Sequence, residues 1–303
     1  MNSVVAHGRY APGVFSSLNA VLPLFVLPVI AACFRGSLTN WVFMWVMALA
    51  MFAGCKWLVY CHAYPNSADH SLRRALEFLL AWPGMDASRF LSKGTDGMKA
   101  ERKEWIAAIL KCITGALLTW QVSRVAMSQF PLLAGWIGMI GLMLLLHFGT
   151  FHLISLAWRR MGVNAPPLMR SPLRSRSVAD FWGRRWNTAF HELTSRFAFR
   201  PLQSRIGASV AMVLVFLLSG LIHELVITFP AHGGYGLPTA YFAIQGLGLA
   251  AERSRLGRWI GLGHGMRGWM FAMLITAGPA YFLFPPVFIR QVILPMLKAI
   301  GAF

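Results

Sequence analysis

The chain has 303 residues, of which 57% are apolar and only 13% charged, and it carries a formal net charge of +18. That charged share is about half of what a soluble domain carries, which excludes an ordinary water-soluble fold. The basic residues sit in gaps between apolar blocks and form no stripe along a soluble helix, which excludes a nucleic-acid-binding surface and fits the cytoplasmic loops of a membrane protein.

Blocks of about 17 to 25 apolar residues cross roughly 30 Å of hydrocarbon. Such blocks are predicted at 16–34, 38–60, 105–127, 130–158, 206–229, 237–252, 268–284 and 285–301. The expected fold is therefore all-α: a polytopic transmembrane helical bundle of about eight spans in four hairpins, forming one domain over residues 1–303. Ile30-Ala31-Ala32-Cys33 loosely resembles a lipoprotein processing site, but the later blocks pair as spans only if the first is retained. Cys33, Cys55, Cys61 and Cys112 lie in or beside apolar blocks without a CxxC pair, as packed, reduced thiols do.

Three longer polar segments separate the hairpins. The first, 62–104, holds Arg73, Arg74, Arg89, Lys93, Lys99, Arg102 and Lys103 against six acids. It also contains Leu72–Trp82, too short to span and predicted as an interfacial or re-entrant helix. The second, 159–205, carries ten arginines against Asp180 and Glu192, and the third, 253–267, adds four arginines. The turns near Ser128-Gln129 and Pro230–Gly236 carry no Lys or Arg, so both termini are expected on the cytoplasmic side. Pro279, Pro285 and Pro286 interrupt the final pair, where proline kinks a span unless neighbours satisfy the freed carbonyls.

Ionisable groups inside hydrocarbon are costly and mark function by default. The clearest is His223-Glu224, within the apolar run Val210–Val226. A neutral imidazole there can act as a general base. Neighbouring helix residues point about 100° apart, so Glu224 is expected to tether helices and not to share the face of His223. His-Glu recurs at His191-Glu192, but a metalloprotease HExxH needs a second histidine where Ile227 and Ser195 stand, so no metal is expected. His147 and His152 lie five residues apart, about 140° off one another on a helix, and are expected to serve packing. His7, His62, His70, His232 and His264 are expected in loops.

The most basic loop contains Asp180-Phe-Trp-Gly-Arg-Arg-Trp-Asn-Thr-Ala-Phe-His191. Trp182, Trp186 and Phe190 at helical spacing, with Arg184, Arg185 and Asn187 between them, predict an amphipathic helix at the membrane interface. Two readings fit it: a surface anchor, or a segment whose arginines hold the phosphates of a nucleotide-bearing substrate while Asn187 adds donor and acceptor groups.

Phe181-Trp-Gly-Arg-Arg-Trp-Asn187, followed by Ser219-Gly-Leu-Ile-His-Glu224, resembles the wax synthase branch of the membrane-bound O-acyltransferase superfamily. Milder likeness extends to Trp82-Pro-Gly-Met-Asp86, His147-Phe-Gly149 and the Pro166–Pro172 approach. The resemblance implies an acyl-CoA-dependent enzyme that esterifies a lipid hydroxyl, most simply a long-chain alcohol, with a sterol, glyceride or smaller alcohol as other acceptors. It implies His223 as general base and Asn187 as its polar partner. Trp182, Arg184, Arg185, Trp186, His191 and Glu224 are the expected substrate-binding residues, with acyl-CoA as co-substrate, membrane lipids as surroundings, and no other cofactor. The alternative from another class is a transporter or lipid-binding scaffold whose pathway His223 lines. The expected location is a multi-pass integral membrane protein of a bacterial inner membrane. One difficulty is geometric. If the helix starts near Ile206 at the interface, His223 lies about 25 Å along it, so either that helix begins above the bilayer or the tryptophan-rich segment dips into the bundle.

Overall fold

The structure, a computed structural model, describes residues 17–66, 71–92 and 99–303; His7, His70 and Lys93 fall outside them. All regular structure among the described residues is helical. The principal helices are α1 (Ser17–Cys33), α2 (Asn40–Ala63), α3 (Leu72–Ala81), α4 (Arg102–Met127), α5 (Pro131–Arg160), α6 (Thr188–Thr194), α7 (Ala208–Ala231), α8 (Leu237–Arg253), α9 (Gly265–Leu283) and α10 (Pro286–Ala299).

Four of these, α2, α4, α5 and α7, are long and apolar enough to cross a membrane, and α9 with α10 makes a fifth if that pair, bent by 55°, is one span. The expected eight spans are thus not reached among the described residues. Helices α1 and α8 have 17 described residues each, at the short limit for a span, and the chain turns at Pro285, whose ring removes a backbone donor.

Close glycine contacts join the hairpins. A Cβ on Gly115 of α4 would lie 2.6 Å from the Leu145 nitrogen of α5, and one on Gly220 of α7 would lie 2.7 Å from the Thr239 Cα of α8. Only a residue without Cβ permits such backbone approach, the usual substitute in lipid for a hydrophobic driving force.

The basic ends of the helices meet in one aromatic core, where Phe78, Trp82, Phe90, Trp158, Leu168 and Leu193 pack together. Helix α3 is the amphipathic element expected there. Its Ser71 caps the Arg74 N–H, Ala75 and Phe78 face the core, and Leu72 and Leu80 lie on the exposed side. Two basic side chains are buried in this layer. Arg159 grips Glu104 with both terminal nitrogens, at 3.0 and 2.9 Å, and donates to the Lys99 carbonyl at 2.8 Å. Lys56 donates to the Gly84 carbonyl at 2.8 Å with its Nζ 3.2 Å from the centre of the Phe78 ring. His62 belongs to the last turn of α2 and not to a loop; it is held edge-on against Phe197 at 5.3 Å.

Candidate functional site

His223 ends the regular α-helical part of α7, and a π-turn, Glu224–Thr228, follows at once. The extra residue in a π-turn re-aims the side chains around it. The His223 Nδ1 lies 2.6 Å from the Ser219 carbonyl. A carbonyl only accepts, so Nδ1 carries the hydrogen and Nε2 of the neutral ring is left as the acceptor. The His223 side chain is half-buried. Its centroid lies 4.5 Å from that of Phe242.

Glu224 turns to a different task. Its Oε1 accepts the Gly236 and Thr239 N–H groups, both at 3.1 Å, and the Thr239 hydroxyl at 2.9 Å, while Oε2 accepts the Thr228 hydroxyl. Gly236 has no side chain to cap α8, so Glu224 caps it from α7. Both carboxylate oxygens are engaged in this tether.

The tryptophan-rich segment is not one amphipathic helix. Val178–Asp180 runs into a π-turn, Phe181–Arg185; Trp186 is extended, and Asn187 sits in the left-handed region at φ 41°. Asparagine tolerates that conformation because its amide can bond locally. Here Oδ1 accepts the Phe190 N–H at 3.2 Å and starts α6. The Asn187 NH2 then remains without a hydrogen bond to the described residues. The break sends the aromatic side chains to separate places. Trp182 meets Phe216 and Phe242, Trp186 stacks on Phe181 and touches Phe148, and Phe190 packs in the basic-end core.

The two arginines of the segment also part company. Arg185 donates to Asp180 at 2.5 Å and to the carbonyls of Arg170 and Ser171, closing the loop on its own approach. Arg184 is exposed and engages none of the described residues. His191 lies on the far side of α6, exposed, on a cleft of about 310 Å³ shared with Met85, Asp86, Glu192, Arg196 and Arg200. Burial pushes the Glu192 carboxyl up to about 7; Asp86 adds to the rise, and Arg89 and Arg170 oppose it.

The structure therefore joins Trp182 to His223 through the Phe242 ring, at 5.7 and 4.5 Å. The segment dips into the bundle, one of the two ways left open by the position of His223 along its helix. Phe242 and the buried Gln245, which accepts the Trp182 indole N–H at 3.2 Å, went unremarked in the sequence. A glutamine in the short apolar block 237–252 was the available signal. Trp186 lies instead against Phe148, and the Asn187 backbone N–H donates to the Met169 sulfur at 3.2 Å.

A helical membrane bundle with a histidine inside one of its long apolar helices, joined to a tryptophan-rich loop through Phe242, is the class these features define. Residues 165–243, which hold the loop, His223 and Phe242, match the Membrane bound O-acyl transferase family. The chain resembles the wax synthase branch of that superfamily. It is 27% identical over 159 residues to "Probable long-chain-alcohol O-fatty-acyltransferase 1" of Arabidopsis thaliana, covering 49% of this chain and 46% of that protein. It is 27% identical over 101 residues to "Long-chain-alcohol O-fatty-acyltransferase" of Simmondsia chinensis, covering 30% and 29%. With "Probable long-chain-alcohol O-fatty-acyltransferase 8" of Arabidopsis thaliana it shares 30% over 139 residues, covering 41% and 40%. The chain spans less than half the length of each of these three curated relatives.

Proposed function

We propose that this protein is an acyl-CoA-dependent O-acyltransferase of the membrane that esterifies a long-chain alcohol, with His223 as general base. The observation that carries the reading is the His223 ring itself, with Nδ1 committed to the Ser219 carbonyl, Nε2 open, and the tryptophan-rich loop seated against it through Phe242. In the proposed reaction Nε2 takes the proton of the alcohol as its oxygen attacks the thioester carbonyl. The carbon–sulfur bond then breaks, and the coenzyme A thiolate leaves with the proton returned by His223. Asn187, whose NH2 is uncommitted while Oδ1 caps α6, donates to the thioester oxygen as negative charge grows there.

Membrane partition favours the same arrangement. A fatty acyl chain and a long alcohol dissolve in lipid, whereas coenzyme A is a cytoplasmic anion, so the site must open to both. In this proposal the basic loops and both termini face the cytoplasm. Arg184 meets the coenzyme A phosphates; Arg185, held by Asp180, shapes the loop that presents it. Trp182 and Trp186 wall the acyl donor, and His191 borders the polar cleft.

The test is ester formation from labelled acyl-CoA and a panel of long-chain alcohols, sterols and glycerides, comparing wild type with His223→Ala and Asn187→Ala. Loss of a positioned base costs about 10²–10⁴-fold in rate, and loss of an oxyanion donor about 10²–10³-fold. Full activity in correctly folded His223→Ala removes the base, and ligand binding without turnover on any acceptor replaces the enzyme with a scaffold.

A further inference from the structure

Helix α8 presents a winding stripe of side chains, Thr239, Phe242, Gln245 and Glu252, which drifts about 140° around the helix in steps of three and seven residues. Each member of the stripe touches a part of the site. Thr239 binds Glu224, the residue after the base. Phe242 lies against the base itself. Gln245 accepts the Trp182 indole N–H. Glu252 accepts the Val178 and Ala179 N–H groups, which open the tryptophan-rich segment.

We infer that α8 is the gauge that sets the tryptophan-rich loop against His223, and that Gln245 and Glu252 are positioning residues for acyl transfer. The inference rests on the O-acyltransferase reading above. Its physical basis is direction. Ring-to-ring contacts among Trp182, Phe216 and Phe242 are attractive over a broad range of angles, so they seat the loop without fixing its register. A hydrogen bond in an apolar interior is directional, and the alternative is a stranded polar group.

Gln245 is fully buried, and its own orientation is decided from the other side. Its Nε2 donates at 2.8 Å to the Ile275 carbonyl of α9, which can only accept. The amide oxygen must therefore face Trp182, whose indole can only donate. Three helical segments are locked in register by one side chain. Two turns further along α8, Glu252 supplies acceptors for two backbone N–H groups at a helix start, where they lack partners of their own. The loop is thus held at its first turn and at Trp182, and loosening either contact frees Trp182, then Phe242, then the imidazole.

The experiment is a double-mutant cycle with Gln245→Leu and Trp182→Phe in purified, membrane-reconstituted full-length protein, measuring kcat and KM for acyl-CoA and alcohol. Each single change is expected to lower kcat about tenfold with both KM values within twofold. The double variant is expected to be no slower than the worse single, because one interaction has been removed from both sides. Glu252→Gln, which keeps an acceptor, is expected to retain more than half of kcat, and Glu252→Ala about a tenth. Independent of turnover, hydrogen exchange at the Trp182 indole, identified by its loss in Trp182→Phe, should accelerate at least tenfold in Gln245→Leu. Unchanged indole exchange, kcat within twofold of wild type in the folded Gln245→Leu protein, or additive losses in the double variant would overturn the inference. A wild type that forms no ester from any acyl-CoA and alcohol overturns the O-acyltransferase reading instead, and the exchange measurement still decides whether Gln245 holds Trp182.

Discussion

The chain buries histidines in two places, and it treats them differently. On α7, His223 hangs one nitrogen on the Ser219 carbonyl and lays its ring on Phe242. On α5, the buried Nδ1 of His147 and both ring nitrogens of His152 find no hydrogen-bond partner among the described residues, although Glu104 lies 3.8 Å from His152. A proton-transfer group needs a fixed tautomer and a fixed aim. The α7 histidine has both and the α5 histidines have neither, so of the three only His223 meets the geometric needs of the proposed base.

The largest break in that comparison is His223→Ala, expected to lower kcat by about 10²–10⁴-fold with little change in thermal stability; single-turnover assays on folded protein measure it. Next comes Glu224→Ala. It strips four donors of their shared acceptor and uncaps α8, at a cost of roughly 2–3 kcal/mol from the stranded groups, visible as a lower unfolding temperature in detergent. His147→Phe sharpens the contrast from the other side. It keeps the ring contact to Phe151 and removes an orphaned polar atom, so kcat should stay within threefold while stability rises by about 1 kcal/mol.

The smallest effect concerns Glu192, which lines the cleft. Its carboxyl, raised to about 7 by burial in the folded protein, stays protonated between about pH 4.5 and 7 while that of the unfolded chain ionises. Stability is therefore lost as pH rises through that window and stays lower above it. Glu192→Gln removes the loss, so the variant should match wild type near pH 4 and exceed it modestly at pH 8 in thermal melts.

Much of this was legible in the primary structure. The helical membrane class, the amphipathic α3 and the tethering task of Glu224 follow from periodicity, hydropathy and the 100° step between neighbours, all of which are local. The tryptophan-rich segment shows the limit. Trp182, Trp186 and Phe190 have helical spacing, yet Asn187 takes φ 41° and ends the turn. An asparagine's local amide bond outweighed the period of its neighbours. Nor did spacing reveal that Trp182 would find Gln245, 63 residues away.

Sequence by itself determined the solvent of this protein and the inventory of its candidate site. Burial of about 20 apolar residues in a row has one favourable outcome, and an imidazole inside that row is costly enough to stand out. Tertiary structure alone decided where the last pair bends and how the loop meets His223. Those outcomes hinge on glycine contacts between backbones and on a few directional hydrogen bonds between distant segments, neither of which leaves a period in the chain.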